Sequence, residues 1–280
     1  MKALPFKIPK ARNLGVIYQE DIGEKFYDTF HQHEEIQISI IIKGTGTLIV
    51  GDTIHNYKSS DIFVIGSNLP HVFKSDTTRN DESFMISLFF TQHSFGKDFF
   101  HLDDFSALEN FFQKSLNGFK ITTNNNLLLQ YFLSLRDTSS LDRFIIFFKI
   151  LQELNVLPTE TLANFIYPKK YNDNHGKRMQ LIMDYTVNNY DSEIDLAVIA
   201  AKANMTKNAF CRYFKQRTNK TYFTFLHEFR IENACKLLLD HKDISINEVA
   251  YKCGYNSLSN FNRKFLLIKG VTPSRYRKAN

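Results

Sequence analysis

The sequence predicts an α+β chain of two domains: a β-rich front domain completed by helices, and an all-helical back domain. Three observations predict it. Short β-branched and aromatic runs fill residues 15–95. Helical periodicity takes over from about Asp104. Charge is split, with 18 Lys/Arg against 10 Asp/Glu over residues 172–280 and 17 against 19 over residues 1–171. At 280 residues the chain is long enough for about two domains, and its 43% hydrophobic content lets both bury a core.

In the front domain, QISIIIKG, GTLIVGD, DIFVIG and FMISLFF are broken by Gly, Asp, Asn and Pro. Short strands at this spacing predict a sandwich or small barrel. LENFFQKSL, NNLLLQYFLSL and SLDRFIIFFKILQEL then predict three helices. The last is apolar almost all round (Phe144, Ile145, Ile146, Phe147, Phe148, Ile150, Leu151), which predicts burial within the domain or against a second copy of the chain. The 27 Phe against no Trp have no explanation in the sequence itself. The front domain is taken as 1–166, a polar linker as 167–176 and the back domain as 177–280.

In the back domain, Ser245-x-x-Glu248 is a capping box that opens a helix burying Ile246, Val249, Ala250 and Cys253. Gly254 ends that helix, since Gly takes φ > 0 without steric cost. Asn256 is the expected cap of the next helix, in which Leu258, Phe261 and Phe265 face inward. Ser257, Ser259, Asn262 and Arg263 face outward. This is a helix-turn-helix with a polar reading face, spanning about 245–267. The pattern recurs at about 194–216, with a short helix expected from about Ile194. Ala200 stands for Ala250, and Phe210, Arg212 and Phe214 stand for Phe261, Arg263 and Phe265. Lys207, Asn208, Cys211, Arg212 and Lys215 are the outward set there. A long helix at about 221–240, with a stripe including Leu226, Phe229, Ala234 and Leu237, joins the units.

The basic back half and its outward residues suit a polyanion. Arg pairs with guanine O6 and N7, Asn with adenine N6 and N7, and Ser donates or accepts. Lys207, Lys215 and Lys264 suit phosphates, which fix register without reading sequence. Arg263 suits either a base or a phosphate. The competing reading of each is an ordinary solvated side chain. Cys211, Cys235 and Cys253 form no CxxC, which argues against a zinc finger and for a reducing compartment. No run of 18 apolar residues occurs, so a cytoplasmic protein with no membrane partner is expected.

The back domain resembles the AraC/XylS family of bacterial transcription regulators. The resemblance rests on Ile246-x-x-Val249-Ala250-x-x-x-Gly254-Tyr255-x-Ser257, on Phe261-x-Arg263-x-Phe265, and on Gly270-Val271-Thr272-Pro273-x-x-Tyr276-Arg277. Arg230-Ile231-x-x-Ala234-x-x-Leu237-Leu238 matches as well. It implies two helix-turn-helix units whose second helices enter adjacent major grooves of double-stranded DNA. It also implies a homodimer and a small-molecule effector, carbohydrates being common in the family. RNA polymerase is a further candidate partner. Lys264 stands where an apolar residue is common, and Leu266, Leu267 and Ile268 follow Phe265 where basic residues are common.

The front domain resembles the cupin pattern. His31-x-His33-x(3)-Gln37 is followed by Asp61, Pro70 and His71, so a cupin-like barrel is expected. Gln37 replaces the usual Glu, and Ser60 stands where Gly is common. Three readings of His31, His33, Gln37 and His71 stand: an effector pocket without metal, a divalent metal site using the three histidines, or inert structural histidines. No cofactor is expected. The rival to a regulator is a metal-dependent cupin enzyme fused to a DNA-binding module. No nucleophile elbow, phosphate loop or HExxH supplies a reaction, so an enzyme is not the expectation.

Overall fold

A computed structural model describes residues 14–78, 81–164, 166, 173–241 and 243–279. The chain divides between residues 171 and 172 into two compact units, with the short segment Asp52–Asn56 counted with the second.

The described residues form nine strands, all in the first unit except β4, most of which belongs to the segment counted with the second: β1 (Ile17–Gly23), β2 (Ile36–Lys43), β3 (Gly46–Val50), β4 (Thr53–Tyr57), β5 (Ile62–Ile65), β6 (His71–Ser75), β7 (Ser83–Phe90), β8 (Phe119–Ile121) and β9 (Thr159–Thr161). They form a six-stranded sheet, β1-β7-β2-β5-β8-β9, and a three-stranded sheet, β4-β3-β6. The expected cupin-like barrel is therefore two sheets, not one continuously hydrogen-bonded cylinder. β8 and β9 escape the sequence pattern because three residues are too few to show a period of two.

Strand β2 explains how the layers form. Ile36, Ile38 and Ile40 point to one face, where they join Ile86, Leu88 and Phe90 of β7 in a core with the helices α1 (Glu109–Ser115), α2 (Asn126–Ser134) and α3 (Ser140–Val156). The alternate residues Gln37, Ser39 and Ile41 point to the other face. There Ile41 and Met85 join Leu48, Val50, Phe63 and Phe73 in a second core. Ser39 pairs with Ser87 across the ladder, and their hydroxyls hydrogen-bond at 2.7 Å. A strand covered on both faces reads as a nearly unbroken apolar run, and the buried polar residues mark the side that holds the pocket.

The Phe excess now has a physical account. Phe90 on β7 meets Phe100, Phe111, Phe112 and Phe147, while Phe95 meets Phe99, Phe144 and Phe148, most of them edge-on or tilted. One aromatic layer thus cements the sheet to its helices; edge-to-face pairs contribute about 0.5–1.5 kcal/mol each beyond area burial. Helix α3 is buried within the domain on one face only. It buries Phe147, Ile150, Leu151 and Leu154, but Ile145 is 46% exposed, and Leu141 and Val156 are more so. The sheet covers only one of its faces.

The second unit is helical: α4 (Asp173–Asn189), α5 (Leu196–Lys202), α6 (Lys207–Thr218), α7 (Tyr222–Asp240), α8 (Ile246–Lys252), α9 (Leu258–Lys269) and α10 (Pro273–Ala279). Most of the expected linker, 167–172, lies outside the described residues; α4 begins at Asp173, inside the stretch read as linker. Five helices start on a side-chain cap: Asp195, Thr206, Thr221, Ser245 and Ser257 each accept from a first-turn N–H. α5 accordingly starts after Asp195, two residues beyond Ile194, which is buried just before it. α7 packs against α6, α8, α9 and α10, and so forms the spine of the unit. Its Arg230 is buried, donating to Tyr190 O and Ser192 O at 2.7 Å each and lying 5.5 Å from the Tyr255 ring.

Candidate nucleic-acid interface and effector pocket

The two helical hairpins repeat one design. In the first, Met205 N–H donates to Ala200 O at 2.9 Å; in the second, Tyr255 N–H donates to Ala250 O at 3.0 Å. The preceding residues, Asn204 and Gly254, are both left-handed, with φ of 54° and 75°. Phe210 and Phe214 on α6, and Phe261 and Phe265 on α9, are fully buried. Their periodicity turns the intervening residues outward. Lys207, Asn208, Cys211, Arg212 and Lys215 are all exposed on α6. On α9 and its approach Asn256, Ser257, Ser259, Asn262 and Arg263 are exposed, and Lys264 is half-buried.

Two expectations are corrected here. Ser257, not Asn256, caps α9: its side chain accepts from Asn260 N–H, while Asn256 stays outside the helix. The turn is thus one residue longer than the capping rule placed it. Leu258 was expected to face inward but is 39% exposed, because the first turn lies beyond the edge of the α7–α8 core. Arg263 donates from Nη2 to Asn260 Oδ1 at 3.0 Å, so its fork is partly engaged. His227, 3.2 Å from the Tyr255 hydroxyl, is held down to about 4 by burial and by the nearby cations Lys264, Arg230 and Arg263. Sequence reasoning did not single out His227, and only its place on the long helix hinted at it.

In the first unit the four predicted residues do come together. Neither His31 nor His33 lies on a named strand. His31 makes an isolated bridge with His71, the first residue of β6, while His33 lies in the loop before β2 and Gln37 on β2. The His31 and His71 rings are 4.4 Å apart and those of His33 and His71 are 5.1 Å apart. Each ring gives its Nδ1 to a backbone carbonyl: His31 to Thr29 O at 2.7 Å, His33 to Glu35 O at 2.9 Å and His71 to Leu69 O at 2.9 Å. A carbonyl only accepts, so Nδ1 carries the proton and Nε2 keeps a lone pair. Burial lowers all three pKa values, His31 to about 3 and His71 furthest, so the rings are neutral.

His31, His71 and Gln37 line a cavity of about 30 Å³, with Gln19, Asp21, Tyr27, Phe73 and Phe89 among its other walls. Sequence reasoning missed Asp21, whose carboxyl is raised by burial while Gln19 Nε2 donates to it at 2.7 Å. Among the described residues His31, His33 and His71 form a group that could hold a metal, with one ring nitrogen from each lying within 4.8 Å of the others. Their type suits a divalent transition ion. The place of a fourth, anionic ligand is taken by the Gln37 amide, which lies 3.2 Å from Nε2 of both His33 and His71. A neutral amide there lowers the fit to a divalent ion.

A basic helical unit with two exposed reading helices, joined to a double-sheet domain with a pocket, defines a ligand-responsive DNA-binding regulator. Residues 199–279 match the helix-turn-helix domain family, and residues 13–88 match the AraC-like ligand binding domain family. The chain is 24% identical over 268 residues to the uncharacterized HTH-type transcriptional regulator YdeC of Bacillus subtilis, covering 91% of this chain and 87% of that one. It is 29% identical over 103 residues to the HTH-type transcriptional activator RhaR of Cronobacter sakazakii, 37% of this chain and 36% of that one. The crystal structure of ToxT from Vibrio cholerae covers 94% of this chain and 98% of its own, at 17% identity and a TM-score of 0.38. By these matches the chain is a DNA-binding transcription regulator with an N-terminal AraC-like ligand-binding domain. No helix among the described residues is long and apolar enough to cross a membrane.

Proposed function

We propose that this regulator reads a specific double-stranded site by placing α6 and α9 in two successive major-groove faces. The supporting observation is the repeat: two pairs of buried Phe anchor two helices that expose Lys207, Asn208 and Arg212, and Ser259, Asn262 and Arg263. Arg212 and Asn262 are assigned to base edges and Lys207, Lys215 and Lys264 to phosphates. Ser257 and Asn256 flank the second reading helix, and Cys211 lies within the first. Titration of labelled duplexes at several salt concentrations tests this. Loss of a phosphate contact lowers the salt slope on every sequence, and loss of a base contact relaxes preference at one position.

The cavity bounded by His31, Gln37 and His71 is assigned to a small effector. At about 30 Å³ it has room for roughly two or three waters as it stands. A sugar-sized effector must therefore displace its walls, and Tyr27, 46% exposed and 5.0 Å from the His31 ring, is placed to move first. Occupancy then shifts the regulator between arrangements with different DNA affinity, which requires the effector to bind those arrangements unequally. The exposed Leu141, Ile145 and Val156 of α3 support a homodimer contact. Sedimentation of wild type and Ile145→Glu tests it: a wild-type dimer that becomes monomeric in the variant supports the contact, and an unchanged dimer removes α3 from it. RNA polymerase is the further partner and the cytoplasm the compartment. The relatives reported above are named as regulators, which favours a sensor over an enzyme in the front domain. Stoichiometric iron or manganese with turnover of a small molecule reverses that reading.

A further inference from the structure

The pocket's hydrogen bonds balance in only one way. Nε2 of His33 and Nε2 of His71 are both acceptors, because each ring has given its single proton to a backbone carbonyl through Nδ1. Both lie 3.2 Å from the same end of the Gln37 side chain. If that end is the amide oxygen, three lone-pair-bearing atoms face one another in a buried site, with neither a proton nor a cation between them. The oxygen and nitrogen of an amide exchange places by a half-turn about its terminal bond. With the NH2 turned inward, one hydrogen goes to each Nε2. The amide oxygen then sits 2.8 Å from Ser39 Oγ and accepts its proton, and Ser39 Oγ accepts from Ser87 Oγ at 2.7 Å. Every member of this buried chain is then satisfied.

We infer that Gln37 is the residue that decides what this pocket binds: its NH2 caps the Nε2 lone pairs of His33 and His71, so the three-histidine cluster refuses divalent metal, and Gln37→Glu alone would build a three-histidine, one-carboxylate metal site. A metal needs the same two lone pairs that the amide occupies. It also needs an anionic oxygen to offset its charge in a site whose three imidazoles are neutral. Glu is isosteric with Gln but cannot donate when ionised, so it frees both nitrogens and supplies the charge in one step. The inference stands whether or not the cavity also receives an effector.

Full-length wild type, Gln37→Glu and the double variant Gln37→Glu/His71→Ala are loaded with excess Co²⁺, desalted and assayed for metal per chain and for visible ligand-field absorbance. Wild type retains no stoichiometric cobalt. Gln37→Glu retains one ion per chain, with affinity at least about 100-fold above wild type, and the double variant loses it. One ion per chain in wild type that is lost in His33→Ala overturns the inference. So does a folded Gln37→Glu, by circular dichroism, that retains no metal. Should Gln37→Glu not fold, ¹⁵N spectra of the wild-type imidazoles decide. Nδ1-protonated, Nε2-bare tautomers at residues 33 and 71 sustain the inference, and Nε2-protonated tautomers refute it.

Discussion

Asn204 and Gly254 hold the same place in the two helical hairpins: each is left-handed, and each donates its N–H to the carbonyl three residues back, Ala201 and Tyr251, at 2.9 Å. They differ in surroundings. A Cβ at 254 would fall 2.5 Å from Tyr190 O and 2.9 Å from Arg230 Nη2. Asn204 is exposed, and Asn tolerates the left-handed region. Gly254→Ala should therefore cost about 2–4 kcal/mol, combining backbone strain with displacement of the buried Arg230, whereas Asn204→Gly should be nearly neutral. Urea denaturation of both variants measures the difference; equal costs would mean that neither the backbone strain nor the Arg230 contact contributes.

Ser257 separates a structural role from a reading role. As cap of α9 it satisfies Asn260 N–H, and Ser257→Ala should cost about 1 kcal/mol of stability. Asp caps as well as Ser, so Ser257→Asp should keep the thermal midpoint near wild type. Its added negative charge beside the proposed groove face should nonetheless weaken duplex binding by about tenfold or more at low salt. Unchanged DNA affinity in a folded Ser257→Asp would place this end of α9 away from DNA.

Acid should loosen the front unit first. His31, His33 and His71 have folded pKa values below the ordinary 6.5. Between those values and 6.5 the unfolded chain binds protons that the folded chain does not. Their contribution is whole above pH 6.5 and falls as pH drops toward about 3 for His31. The loss is up to about 1.4 kcal/mol per pH unit for each histidine. Denaturation monitored on the front unit between pH 7 and pH 4.5 checks the sign. A flat profile there would mean the rings carry protons in the folded protein.

Much of this was legible in the residues. The start of α8 followed from the Ser245 capping box, the start of α9 was misplaced onto Asn256, and the buried Phe210, Phe214, Phe261 and Phe265 followed from spacing on a 3.6-residue period. His31, His33, Gln37 and His71 were also legible as a set, whereas Asp21 and the other walls of the pocket were not. Their assembly was not, because His31 and His71 meet through a single bridge between distant segments, which no local period records. The three-residue strands β8 and β9 were likewise too short to show alternation. The exposed side of α3 was unreadable for the opposite reason: a helix apolar all round does not say which face its own domain covers. The direction of the Gln37 amide needed the donors and acceptors of four segments at once.

On the function proposed above, α6 and α9 read two groove faces through different side chains. The most direct test is footprinting on a site recovered by genomic mapping, with wild type, Arg212→Ala and Asn262→Ala compared on systematically varied sequences. Two protected elements about 10 base pairs apart should appear, with each variant losing about 1–3 kcal/mol and relaxing preference in one element only. A single protected element, or equal weakening by both variants on every sequence tried, would contradict it.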